Sequence, residues 1–195
     1  MPLRRVCVFP DKNPETGPEQ REAAASVGRL LAENGLTLIY DGSAKGAPGA
    51  MADAVLAAGG RAVGVVPAAV ADGTPLHPGL TELQVVAGPE ERNAVLADLS
   101  DGFLALPYGI GSLEELFQIW TWGHLGYHEK PCGLLNRADY FTGLLRSVDD
   151  ALVERFVRET QRGMLIVDRD PEVLLRALAD FRPPETRRFQ SHEDS

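Results

Sequence analysis

Two stretches of the chain carry residue types that suit chemistry at a turn. In Pro107-Tyr108-Gly109-Ile110-Gly111-Ser112-Leu113-Glu114-Glu115, two glycines and a serine precede a carboxylate. Gly109 and Gly111 allow a tight turn, Ser112 is placed to cap a following helix, and free amides at a helix start hold anions. Glu115 stands three residues beyond Ser112, and two readings compete. It either completes a capping box and merely finishes its own helix, or it is a free carboxylate for general-base or charge-stabilising work. Glu114 points elsewhere. The second stretch, Gly88-Pro89-Glu90-Glu91-Arg92-Asn93, puts Glu90, Glu91 and Arg92 in the first turn of a helix. Carboxylates suit the positive end of the helix dipole, whereas a cation there is mildly unfavourable unless an anion faces it. Arg92 is therefore either an exposed arginine or the partner of such an anion.

Two further turns place cations near these. Pro10-Asp11-Lys12-Asn13-Pro14 brings Lys12, and Asp41-Gly42-Ser43-Ala44-Lys45-Gly46-Ala47-Pro48-Gly49 brings Lys45 on a glycine-rich loop. The glycine spacing of the latter is not the dinucleotide G-x-G-x-x-G pattern, and no Walker-type Gly-Lys-Ser/Thr follows Lys45. NAD and ATP readings find little support. His77, His124, His128 and His192 lack ligand spacing for zinc, and no G-x-S-x-G elbow is present. Cys7 and Cys132 each lie in an apolar run without a neighbouring cysteine, which reads as two reduced core thiols rather than a disulfide or metal pair.

The elements that must position these turns follow from alternation. Short apolar runs, Val6–Phe9, Leu36–Tyr40, Ala62–Val66, Leu83–Val86, Gly102–Leu106, Cys132–Leu135 and Met164–Val167, read as strands buried on both faces. Between them Glu19–Asn34, Gly49–Ala58, Glu90–Leu99, Ser112–Leu125, Phe141–Phe156 and Pro171–Phe181 read as helices. Asn34-Gly35 is a stop signal for the first, and Asp170-Pro171 a cap followed by proline for the last. The pattern predicts an α/β fold, a Rossmann-like doubly wound parallel sheet of about seven strands with helices on both faces. In such sheets ligands bind beyond the carboxyl ends of the strands, where all four turns fall.

Composition bounds the rest. The chain has 195 residues, Lys+Arg 19 against Asp+Glu 28, and a formal net charge of -9. That length suits one domain, expected over residues 1–181, with residues 182–195 as a frayed tail. The acidic balance argues against a general nucleic-acid binder, and with only Lys12, Lys45 and Lys130 as lysines any anion must be held locally. No export signal or membrane-length apolar run is evident, and reduced cysteines point to the cytoplasm.

At the same turns the chain resembles the Lonely Guy (LOG) family, cytokinin-activating nucleoside monophosphate phosphoribohydrolases long mislabelled as lysine decarboxylases. The family's P-G-G-x-G-T-x-x-E motif matches residues 107–115, and similarity runs through Ala52-Asp53-Ala54, Val63–Pro67, Glu91-Arg92, Thr121-Trp122, Lys130-Pro131 and Gly133–Asn136. The resemblance implies hydrolysis of the N-glycosidic bond of a nucleoside 5'-monophosphate without a cofactor. Arg92 and Glu115 would be the catalytic pair, with Lys12, Asp41, Gly42, Ser43, Lys45, Glu91, Tyr108, Gly109, Ile110, Gly111 and Ser112 as substrate-binding positions. It also implies a homodimer, with contact through the helix carrying Trp120, Thr121 and Trp122, against the reading of both tryptophans as ordinary core. The departures are local. Pro10-Asp11-Lys12 replaces a G-S-S turn, Tyr108 replaces a glycine, and the glycine-rich loop is remodelled, which implies altered substrate specificity. Asp11 and Asp41 would repel a phosphate unless Lys12 or Lys45 compensates. The alternative is a binding module that holds a nucleotide or other small ligand without turnover, in which Glu115 is only a cap.

Overall fold

Adjacent strand residues point to opposite sides of a sheet, so a strand apolar at every position must be covered twice. That is what the first strand shows. In β1 (Arg5–Phe9), Val6 and Val8 enter one apolar layer while Cys7 and Phe9 enter the other. The computed structural model describes residues 2–73 and 75–183. In it β1 is followed by α1 (Pro18–Glu33), β2 (Thr37–Tyr40), α2 (Gly46–Ala57), β3 (Arg61–Pro67), the short α3 (Ala68–Ala71), β4 (Glu82–Val86) and α4 (Pro89–Leu99). The second half continues with β5 (Gly102–Ala105), α5 (Ile110–His124), β6 (Cys132–Leu135), α6 (Thr142–Val153), the short α7 (Glu159–Arg162), β7 (Leu165–Asp168) and α8 (Pro171–Asp180).

The strands form one seven-stranded sheet in the order β4-β3-β2-β1-β5-β6-β7, every neighbouring pair parallel. Helices α1, α2 and α8 cover one face, and α4, α5 and α6 the other. The predicted doubly wound architecture is therefore the observed one. Fully buried Val27 and Leu31 seat α1 on the sheet, each side chain stabilising the fold by about 1.5–3 kcal/mol. The stop expected at Asn34-Gly35 is present, with Gly35 at φ 68 and the Leu36 amide returning to the Leu31 carbonyl.

Two expectations need correction, and a third falls outside what the structure describes. β4 is an edge strand whose Leu83 and Val85 side chains are exposed, not a strand buried on both faces, because it has a neighbour on one side only. The helix expected over Phe141–Phe156 ends at Val153, where Arg155 turns the chain at φ 65. Residues from 184 onward in the expected tail lie outside the described residues.

The order reverses at β1, which pairs with β2 on one side and β5 on the other. Turns leaving β1 and β5 in opposite directions open a crevice between them, the topological switch point of a doubly wound sheet. Lys12 leaves β1 there, and the Gly109 turn leaves β5.

Candidate active site

Two glycines let the loops at this crevice meet. A Cβ on Gly109 would stand 3.0 Å from Asp11 Cα and 2.9 Å from Ser112 Oγ, so only glycine admits the β1 loop against the start of α5. Gly46, at φ 63, receives Asn13 in the same way, since a Cβ there would lie 2.6 Å from the Asn13 carbonyl oxygen. The loops after β1, β2 and β5 are thereby drawn together.

The start of α5 decides between the two readings of Glu115. Gly109 takes an extended conformation and is the N-cap, the helix begins at Ile110, and no side chain caps it. The predicted capping box does not form, because the helix starts two residues earlier than Ser112 and places Ser112 and Glu115 one turn apart on its inward face. Glu115 is 2% exposed. Its Oε1 receives Arg92 Nη1 at 2.7 Å from one side and Lys12 Nζ at 2.7 Å from the other. Oε2 of Glu115 and Oγ of Ser112 are buried and have no hydrogen-bond partner among the described residues.

Arg92 is held for this contact. Its side chain is 11% exposed, its Nε donates to the Val65 carbonyl at the end of β3 (3.3 Å), and its Nη1 also lies 3.4 Å from Asn93 Oδ1. Burial lowers the guanidinium's proton affinity, and the adjacent Glu115 carboxylate, helped by Asp41, more than offsets this, so that Arg92 is held above its ordinary value. A cation near a helix start thus has the facing carboxylate that would justify it. Asn93 and Gln118, which the sequence reading missed, hydrogen bond across α4 and α5 and brace the pair from behind. Their signal lay in position, one residue after Arg92 and three after Glu115.

Burial pushes the Asp41 carboxyl above its usual range, against the opposing pull of the Ser43 amide, Lys12 and Arg92. That shift weakens the repulsion Asp41 would exert on an anion. Asp11 instead folds its own loop, accepting the Asn13 amide at 3.1 Å. Cys7 lies beneath, fully buried, and burial drives its thiol far above the nucleophilic range.

The other expected positions divide. Gly111 lies against the Lys12 stem, a Cβ there meeting Lys12 Cδ at 3.8 Å. The Gly42 carbonyl accepts the His77 amide, and Ser43 bridges to Leu76, so the loop before β4 packs on the β2 turn. His77 Nδ1 accepts the Gly79 amide, so its Nε2 carries the proton and donates to Asp53 at 3.0 Å. Glu91 turns back to accept the Ala87 amide (2.6 Å), away from the cluster. Lys45 and Ile110 are exposed and make no hydrogen bond or ion pair with Glu115 among the described residues. Tyr108 holds φ 81, a conformation that costs a non-glycine residue about 1–3 kcal/mol, with its ring against Tyr140 at 5.1 Å. A cavity of about 1200 Å³ lies at the opposite edge of the sheet, by Leu3, Asp101, Pro131 and Met164. Its Lys130 and His128 side chains are already bonded, to the carbonyls of Ala97 and Ile119.

A family model described as "Possible lysine decarboxylase" matches residues 49–178. The cytokinin riboside 5'-monophosphate phosphoribohydrolase of Rhodococcoides fascians is 41% identical over 182 residues, which span 93% of this chain and 90% of that protein. The chain belongs to the Lonely Guy family. Another member, the cytokinin riboside 5'-monophosphate phosphoribohydrolase of Arabidopsis thaliana, is 34% identical over 93% of this chain and 83% of its own. A probable rice enzyme of that name, from Oryza sativa subsp. japonica, is 39% identical over 93% of this chain and 74% of its own. Among solved structures, the molybdenum cofactor carrier protein of Chlamydomonas reinhardtii superposes with a TM-score of 0.66 at 19% identity, covering 90% of this chain and 96% of that one. The molybdenum cofactor binding protein of Rippkaea orientalis superposes with a TM-score of 0.65 at 19% identity, covering 90% and 93%. These two likenesses concern the LOG-like fold. No helix among the described residues is long and apolar enough to cross a membrane.

Proposed function

We propose that the chain hydrolyses the N-glycosidic bond of a nucleoside 5'-monophosphate, a cytokinin riboside monophosphate or an AMP-like nucleotide, giving free base and ribose 5-phosphate. The observation that carries this is Glu115, buried and gripped through one oxygen by Arg92 and Lys12 while its other oxygen is free. Breaking the bond leaves oxocarbenium-like positive charge on the sugar, which a fixed carboxylate stabilises. A water oxygen bonds to C1' as the bond from C1' to the base nitrogen breaks. The electron pair leaves with the base, which takes up one proton, and Glu115 Oε2 accepts the proton that the water gives up. Arg92 holds the carboxylate in line and is the positioning half of the pair.

The free amides of the first turn of α5, with the unpartnered Ser112 hydroxyl, suit the 5'-phosphate. Lys12 and Arg92 set two positive charges against the Glu115 carboxylate near this turn, and the carboxyls of Asp41 and Asp11 draw on the same cations, so the helix amides and the Ser112 hydroxyl carry the phosphate reading. Tyr108, strained and backed by Tyr140, rims this turn where the resembling family has glycine, and it supports an altered base preference. The non-catalytic reading needed Glu115 as a cap, a role it does not fill. The test is chromatographic detection of free base after incubation with a panel of nucleotides. Release of base is expected, and a panel left wholly intact overturns the assignment.

Assembly and compartment belong to the same proposal. Trp120 and Trp122 pack against the inner apolar layer, and Trp120 Nε1 donates to the Gln161 carbonyl at 2.8 Å. The exposed apolar face of α5 is instead Ile110 and Phe117, with Thr121 alongside. We infer a homodimer formed through that face, which sedimentation velocity on F117E would reduce to monomer. Two buried free thiols support a reducing, cytoplasmic setting.

A further inference from the structure

Cleavage of an N-glycosidic bond by water moves a proton at each end. Glu115 accepts one from the water, and the departing base must be given another, because a purine that leaves without it leaves as an anion. Asp41 stands where such a donor is needed. The parallel pairing of β2 with β3 sets Tyr40 beside Gly64, so the continued register brings Asp41 level with Val65, whose carbonyl anchors Arg92 Nε. The pairing of β2 with β1 sets Ile39 beside Cys7, so Asp41 also comes level with Phe9, the last residue of β1 before the Lys12 turn. Ile39 lies in the apolar layer beneath α4 and α5 and Tyr40 in the opposite one, and alternation returns Asp41 to the side of Arg92 and Glu115. The charged groups that face its carboxyl are Lys12 from the β1 turn, Arg92 from α4 and Glu115 from α5.

Asp41 Oδ1 accepts the Ser43 amide at 3.1 Å, and Oδ2 accepts no hydrogen bond among the described residues. The carboxyl is thus fixed through one oxygen and free at the other, as that of Glu115 is. The neighbouring groups are otherwise engaged. Lys12 and Arg92 both donate to Glu115, Asp11 accepts within its own loop, and Glu91 turns back to the Ala87 amide. Burial pushes the Tyr40 hydroxyl and the Cys7 thiol far above their ordinary values, which leaves them poor acids. For Asp41 burial outweighs the pull of Lys12 and Arg92, so its carboxyl keeps a proton to higher pH than an exposed aspartate does. The sheet order supplies the direction. β5, which leads into the phosphate-suited turn of α5, lies on one side of β1 and β2 on the other. A nucleotide with its phosphate at that turn and its C1' at Glu115 extends its base toward the β2 turn.

Resting on the hydrolase reading, we propose that Asp41 is a second catalytic carboxyl, whose Oδ2 donates a proton to a ring nitrogen of the departing base while Glu115 serves the water. The bond from C1' to the base nitrogen breaks, its electron pair stays with the base, the base leaves neutral, and the water oxygen bonds to C1'. Asp41 is left ionised and Glu115 protonated, and passage of that proton to Asp41 through solvent restores both. Two carboxyls in unlike protonation states then flank the scissile bond, the division of roles that glycosidic cleavage uses.

The experiment compares wild type, Asp41→Asn and Glu115→Gln on the purine nucleotide cleaved best in the panel above and on its N7-methylated form, whose base already carries a positive charge and leaves neutral without taking up a proton. Asp41→Asn should lower kcat on the parent nucleotide by about 10²–10⁴-fold and cleave the methylated one at close to the wild-type rate, which also shows that the variant is folded. Glu115→Gln should slow both. An acid acts only while protonated, so kcat of wild type on the parent should fall about tenfold per pH unit on the alkaline side, and this limb should be missing with the methylated nucleotide. If Asp41→Asn slows both substrates equally or neither, if the alkaline limb persists with the methylated nucleotide, or if wild type leaves that nucleotide intact, the role of Asp41 is overturned while the hydrolase stands. If no nucleotide is cleaved at all, both are overturned.

Discussion

Helices α8 and α5 begin in opposite ways. At α8 the Asp170 side chain accepts the amides of Glu172 (2.8 Å) and Val173 (3.2 Å), and Pro171 at the first helical position has no amide to satisfy. The end is finished by its own residues. At α5 the N-cap is Gly109, no side chain serves the first amides, and two buried polar atoms, Ser112 Oγ and Glu115 Oε2, lack partners among the described residues. A buried polar group without a partner costs about 1–3 kcal/mol. The missing side-chain cap is shared by α1, α2, α4 and α6; what sets the start of α5 apart is the two buried polar atoms without partners, at the switch point of the sheet, and these support the ligand site proposed above.

The contrast can be broken most severely at Glu115. Glu115→Gln keeps the shape and removes the charge, and it should lower the rate of base release by about 10²–10⁴-fold while leaving the circular dichroism spectrum unchanged. A variant with wild-type turnover would reduce Glu115 to a structural residue. Next is Arg92→Met, which strips a buried carboxylate of its fixed partner and leaves only the half-exposed Lys12. Urea denaturation should show a loss of about 2–3 kcal/mol, somewhat below the usual cost of breaking a buried pair because Lys12 stays. Turnover should fall with it.

The two helix ends can then be compared directly. Asp170→Ala removes a working cap and should cost about 1 kcal/mol by the same denaturation assay with kcat/KM unaltered. Ser112→Ala removes a buried hydroxyl that has no partner among the described residues, so stability should rise, by up to about 1–3 kcal/mol, while the thermal stabilisation conferred by a bound nucleotide shrinks. Equal losses of stability in both variants would erase the distinction between a finished end and an open one.

Legibility followed the range of the interactions concerned. Strand alternation at Val6–Phe9, the stop at Asn34-Gly35 and the cap at Asp170-Pro171 depend on neighbours within a few residues, and each is found where the pattern put it. The exposure of Leu83 and Val85 was not legible, because an apolar run reads alike at the edge and at the centre of a sheet. The start of α5 misled for a subtler reason. Ser112 and Glu115 have the spacing of a capping box, and only the extended backbone at Gly109, set where the β1 loop presses against it, starts the helix early enough to turn both side chains inward.

By itself the sequence determined a parallel sheet covered on both faces, the turns at its carboxyl edge and the family to which those turns belong. It also marked Arg92 and Glu115 as residues in need of an explanation. The tertiary structure decided what they do to each other and what Lys12 does to both. These residues come from three turns, brought together by a strand order that reverses at β1, and Lys12 and Glu115 are 103 positions apart in the chain. A charge pair at that separation has no local signature, since nothing in the residues around either partner depends on the other until the sheet has formed.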